Sequence, residues 1–225
     1  MAEIIDELEC SDGVLDSYDD FFYGSKYLQA VEGSHIKPGD MILMFLMDGI
    51  QLYCFKLSDC WTGIWIISNH RPDNHYKKLC ILPAFFICGP NKPKNCDSYL
   101  CPSLHHLAAL QKEGLHVWDA LPNGAFLSAL ILTLAIADGP GMVYLNGLIG
   151  HHSKNACQLY CDVAGHHKPG GSHYYPALLK LDNYEVKGCD HSDINPYEIV
   201  PYSSERYFKN LHYLMASNNI TQYKK

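Results

Sequence analysis

The stretch ILMFLMDGIQLYCF, Ile42 to Phe55, is an almost unbroken apolar run with one acidic residue, Asp48, in its middle. Its length and composition read as a strand of the protein's sheet. An ionised carboxylate taken out of water without a partner costs many kcal/mol. If this strand is buried, Asp48 needs a metal, a cation or a hydrogen-bond network to keep it there.

Working outward, SKYLQAVEGSHIKPGD before the run predicts a short helix stopped by Gly33 and Pro38. After it, Cys60–Ser68 and Lys78–Gly89 are two further strand candidates, and their short, turn-like connectors predict an antiparallel meander. The loop GPNKPKNCDS follows, with Asp97 or Ser98 as cap for the helix YLCPSLHHLAALQKEGL, which ends near Gly114. Leu104, Leu107, Ala108 and Leu110 give that helix an apolar face. A hairpin-like piece, VWDALPNGAFLS, then leads to a fourth apolar run, Ala129–Ala137, which ends on Asp138-Gly139-Pro140-Gly141.

The fold class is therefore α/β, in the order strand, strand, strand, helix, strand. If the first and fourth runs lie side by side, as in a ribonuclease-H-like sheet, Asp48 and Asp138 come within reach of one divalent cation. Oxygen ligands suit Mg2+ or Mn2+, and a pair of such ions stabilises the attacking and leaving oxygens of a phosphodiester. The competing reading is turn chemistry, because Asp-Gly is a common turn dipeptide. Composition favours that reading for Asp138, whereas the apolar flanks of Asp48 argue against it there. A third acid usually completes such a site; Glu198 and Glu205 are late candidates, and neither lies on an evident amphipathic helix packed to the sheet.

Composition bounds the function. The 225 residues are 48% hydrophobic, enough for a substantial core. A formal charge of -7 and a pI near 6.0 argue against coating nucleic acid by bulk electrostatics. The opening MAEIIDELECSDGVLDSYDD is rich in Asp and Glu without Lys or Arg, and reads as a solvated segment. No basic start followed by an apolar core suggests a secretory signal, and no apolar run approaches a membrane span, so a soluble protein in a reducing compartment is expected. Its 10 cysteines then point to metal binding or packing.

Cys157 and Cys161, with three residues between them, precede His173 by a further eleven-residue spacer, and Cys189 and His191 lie beyond. Thiolates and imidazole bind Zn2+ tetrahedrally, so Cys157, Cys161 and His173 are candidate zinc ligands. The alternative is ordinary core thiols and surface histidines in a chain with 13 His. Cys54, Cys60, Cys80 and Cys88 fall in strand runs and read as small core residues. No nucleophile elbow, phosphate loop or dinucleotide fingerprint is present.

The blocks MILMFLMDGIQLY, DCWTGIWIISN, the run from Lys77 through GPNKPKNCDSYLCPSLHHLAALQKEGL to Ala120, ADGPGMVYLNGLIGHHSKNACQLYC and HKPGGSHYYPALLK resemble the transposase of CACTA (En/Spm) DNA transposons of mushroom-forming fungi. The resemblance runs from about Phe22 to Lys225. It implies a ribonuclease-H-like core with an Asp, Asp, Glu triad that uses Mg2+ or Mn2+ to cut and rejoin transposon-end DNA in the nucleus. Matched to it, Asp48 is the first catalytic Asp and Asp138 the second, while Cys161 and His173 fall on the family's Cys-and-His motif, with Cys157 beside them.

The family's Glu lies past an inserted domain that this sequence does not reach. The resemblance therefore implies a fragment in three parts: an acidic segment with a short helix over 1–40, a partial ribonuclease-H-like core (mixed sheet β1-β2-β3-α-β4) over 41–150, and an irregular Cys/His-rich tail over 151–225. Such a fragment is expected to be inactive alone. The alternatives are a zinc-stabilised, non-catalytic binding module and a transposon relic without function.

Overall fold

Helix α1 (Ser25–Glu32) leads to strand β1 (Met41–Gln51), which is buried from Ile42 to Phe45 and at Met47 and exposed from Asp48 onward. This computed structural model describes residues 10–11, 20–52, 59–70, 72–89, 93, 95–120, 123–147, 150, 152–155, 157, 163–166, 171–174, 193–200 and 203–219. The burial pattern of β1 corrects the expectation of a buried Asp48. The apolar residues N-terminal to it are covered on both faces, and the strand then runs out beyond its cover.

Strand β2 (Asp59–Ile67) pairs antiparallel with β1, from Leu43 opposite Ile67 to Gln51 opposite Asp59. Strand β3 (Ile81–Gly89) continues the meander antiparallel to β2. Helix α2 (Asp97–Glu113) and a hairpin of β4 (Leu115–Asp119) with β5 (Gly124–Ser128) precede β6 (Leu130–Ala137). Strand β6 lies parallel to β1, from Met41 opposite Leu130 to Met47 opposite Ala137, with a bulge at Leu43/Met44. The mixed four-stranded sheet has the order β3-β2-β1-β6, so the first and fourth long apolar runs are neighbours, which is the condition set above for Asp48 and Asp138 to come together.

Alternation along β1 divides the core into two layers. On one face, Phe45 and Met47 pack with Trp61 and with Cys96 and Leu100 at the start of α2, and Leu43 packs with Leu107 and Leu130. On the other, Ile42 packs with Phe22, Tyr27 and Ile36 from around α1. The buried stripe of α2 runs through Leu100 and Leu107 with half-buried Leu110, whereas Leu104 and Ala108 are exposed. The expected face is thus rotated, and the indole N–H of Trp65 donates to Ser103 Oγ on the observed one (3.3 Å). Nor do Asp97 or Ser98 cap α2: Cys96 stands at the cap, and Asn95 Oδ1 accepts from the Asp97 amide (2.9 Å).

A buried carboxylate ties the strand starts together. Asp40 is 7% exposed, and it accepts from the amides of Lys37 (2.7 Å) and, far along the chain, Ala129 (3.1 Å). The Asp40 carbonyl accepts from Asn69 Nδ2 (3.0 Å), and Asn69 Oδ1 accepts from the Ile42 amide (2.7 Å). One side chain from each of two connectors therefore holds β1, β2 and β6 in line, which meets the requirement that buried polar groups be paired.

Contacts divide the chain into two compact units, Met1–Leu145 and Asn146–Lys225. Helix α3 (Gly139–Asn146) follows β6 directly. In the second unit, α4 (Ser204–Met215) is amphipathic and is capped by Ser203, whose Oγ accepts from the Arg206 amide. Among the described residues, no helix is long and apolar enough to cross a membrane.

Candidate functional site

The site is built where the β1–β6 ladder ends, at the end of β6 and partway along β1, which continues to Gln51 beside β2. Met47 and Ala137 are partners in the parallel ladder, and Asp48 and Asp138 are the next residue on each strand. Neighbouring strands lie about 4.8 Å apart, so the register brings the backbones of the two acidic residues together just past the last rung of the ladder. Both residues are exposed.

Local sequence holds each acid in place. Asp48 Oδ1 accepts from the Gly49 amide (2.7 Å), and the Asp48 carbonyl accepts from Thr62 Oγ1 across the ladder (3.5 Å). Position 49 is constrained by Trp61, whose ring would lie 3.0 Å from a Cβ built there. Asp138 stops β6 and starts α3: its Oδ1 accepts from the Gly141 amide (2.7 Å) and its carbonyl from the Met142 amide (2.8 Å), an N-cap arrangement. A Cβ at Gly141 would meet Asp138 Oδ1 at 2.8 Å and the Ala137 Cβ at 2.9 Å, so the turn admits glycine for want of room. The turn chemistry that composition suggests for Asp138 is real, and it leaves the carboxylate at the strand end.

Each carboxylate gives one oxygen to a backbone amide. Among the described residues, neither second oxygen has a hydrogen-bond partner. Two hard oxygen donors directly after the last β1–β6 rung are of the type that suits a divalent cation such as Mg2+ or Mn2+. No group of three His, Cys, Asp or Glu side chains that could hold a metal occurs among the described residues.

The late acids belong to the second unit. Glu198 lies in a short 3-10 turn, where its Oε1 accepts from Asn195 Nδ2 (3.0 Å). Glu205 sits in the first turn of α4, an amphipathic helix of the second unit whose helical period is carried by Tyr, Phe and Leu, interleaved with charge. Of the expected zinc ligands, Cys157 is half-buried, His173 is exposed, and Cys161 lies outside the described residues. His152 was not anticipated: its ring centroid lies 4.3 Å from that of His173 with the planes tilted by 56°, and its carbonyl accepts from the Tyr174 amide (3.0 Å). The signal for it was the His-His pair following Gly150.

Comparison with known proteins comes to one result. A family model described as transposase family tnp2 matches residues 34–168, more than half of the chain. No curated protein and no solved structure matches.

Proposed function

The chain belongs to the tnp2 transposase family, and from that premise we propose that it carries part of the catalytic core of a DDE-type DNA transposase of the CACTA (En/Spm) kind. The carrying observation is the parallel pairing that ends at Met47 and Ala137, which leaves Asp48 and Asp138 directly after its last rung. The sheet order β3-β2-β1-β6, with an antiparallel meander and a parallel fourth strand, supports a partial ribonuclease-H-like core over 41–150. In this reading residues 151–225 begin the family's inserted region. The substrate is transposon-end DNA, which places the protein's work in the nucleus of a fungal cell.

Asp48 and Asp138 would hold the cation. When bound, Mg2+ or Mn2+ supplies Lewis-acid stabilisation of the attacking and leaving oxygens of a phosphodiester. The protein's own part is to fix the two ligands: Gly49 and Gly141 hold the backbone close, and the Asp138 cap anchors α3 beside it. No third acid joins the pair among the described residues, so the chain alone is expected to bind the cation and not to cut DNA.

An Mn2+ titration followed by electron paramagnetic resonance tests the reading. One site is expected in the wild type, lost in both Asp48→Asn and Asp138→Asn; a site retained in both variants would overturn it. Mn2+-dependent nicking of a plasmid carrying transposon ends, abolished by Asp48→Asn, would instead show that the chain is active alone.

A second reading is a zinc-stabilised module of Cys157, Cys161 and His173; the ring of His152 lies against that of His173, the two planes tilted by 56°. Soft thiolate and imidazole donors suit Zn2+. Elemental analysis of protein purified without chelator checks it, and a folded, zinc-free preparation removes it.

A further inference from the structure

Two thiols meet across the outer rung of the meander. Cys60 on β2 and Cys88 on β3 are direct partners in the antiparallel ladder, and their sulfurs lie 3.6 Å apart. Direct cross-strand partners have Cα separations of roughly 4.5–5.5 Å, inside the range that a disulfide spans. The two differ in access: Cys60 is 6% exposed, whereas Cys88, on the edge strand, is open to solvent. The expectation that both are small core residues therefore holds for Cys60 only.

We propose that Cys60 and Cys88 form a reversible disulfide site that takes small-molecule disulfides as its oxidant and staples edge strand β3 to β2. The Cys88 thiolate attacks one sulfur of R–S–S–R, forming a mixed disulfide and expelling RS−, which takes up the proton that Cys88 gave. Cys60 then loses its proton and attacks the Cys88 sulfur, forming the Cys60–Cys88 bond and expelling a second RS−, which is protonated in turn. Two cysteine thiols are oxidised to one disulfide, and one R–S–S–R is reduced to two RSH.

Exposure sets the order of attack. Burial, and after it the hydrogen bond with the Cys88 sulfur, raises the Cys60 thiol above the ordinary cysteine range, so Cys88 supplies the first thiolate and Cys60 resolves. The site lies next to the acid pair along the sheet. Cys60 is opposite Ile50 on β1, two residues along β2 from Thr62, the partner of Asp48. The bond thus fixes the end of the sheet that carries Asp48.

The test uses the full chain in buffers of reduced and oxidised glutathione, with thiols trapped by N-ethylmaleimide and peptides mapped by mass spectrometry. With glutathione disulfide in excess, the wild type is expected to yield a Cys60–Cys88 cross-linked peptide. Its melting temperature should rise by about 5–10 °C, because the bond closes a loop of about 30 residues, and should fall back with dithiothreitol. In Cys60→Ser, Cys88 is expected to stop at the glutathione adduct, and in Cys88→Ser, Cys60 stays unmodified. A wild-type Cys88 that stops at the adduct, or two thiols that both remain alkylatable, overturns the proposal without needing either variant to fold.

Discussion

Replacing Asp48 with asparagine should change stability in opposite senses with and without Mn2+. Asp48 and Asp138 follow the last rung of the β1–β6 ladder, where the strand spacing of about 5 Å sets the scale of the separation between their charges in water-like surroundings. Two unit charges at that distance repel by about 0.8 kcal/mol, and both residues are exposed, so salt weakens the effect. Asparagine removes the repulsion and keeps an oxygen to accept from the Gly49 amide. In EDTA and low salt, Asp48→Asn is therefore expected to match or exceed the wild type, by about 0.5 kcal/mol. With Mn2+ at one hundred times its Kd the wild type gains about 2.7 kcal/mol and the variant gains little. The ranking inverts. Urea denaturation at low salt, with EDTA in one series and Mn2+ in the other, reads both terms. Asp138→Asn should behave alike because asparagine also caps helices, whereas Asp138→Ala should lose about 1 kcal/mol in both series through the cap of α3. The reasoning fails if Asp48→Asn is destabilised by more than 1 kcal/mol in EDTA, or if Mn2+ shifts wild type and variant equally.

Three further outcomes follow from the core. Asp40→Ala strips two amides of their buried acceptor and should cost about 3 kcal/mol in urea denaturation, with Asp40→Asn intermediate. Phe45→Ala removes a ring 2% exposed and 4.7 Å from the Trp65 ring, at a cost of about 3–5 kcal/mol in the same assay. The Tyr27 hydroxyl is buried without a partner and is pushed up to about 12 by burial, then by Asp20 and Asp40. Because the folded value lies above the unfolded 10.0, that contribution is intact below pH 10 and lost as pH rises through 12; Tyr27→Phe should flatten stability over that window and be neutral or stabilising at pH 7.

The sheet was legible because four apolar runs separated by turn residues leave few alternatives, and the order strand, strand, strand, helix, strand admits a parallel β1–β6 pair. Where the cover ends was not legible. A hydrophobic run shows that residues are apolar, not how far the helices on either face reach, and so Asp48 read as buried although β1 has already left the core there. The face of α2 was misread by the same logic, since Leu104 and Ala108 fit a helical stripe as well as Leu100 and Ser103 do until Trp65 selects between them. Asp40 was hidden in KPGD, which reads as turn chemistry, because its partner Ala129 lies far along the chain. The Cys60–Cys88 meeting depends on register, and composition does not encode register.

The β1–β6 pairing also sets when the acid pair comes into being. Strands β1, β2 and β3 are consecutive and form a meander of short reach, whereas β6 must return to β1 past α2 and the β4–β5 hairpin. Loop closure and topology make such long-range contacts the slow ones. A nascent chain that has formed only the meander presents Asp48 alone. Asp138 joins it when the longest-range strand contact closes, so on the proposed reading cation capture is a late event in folding and a reporter that the sheet is complete.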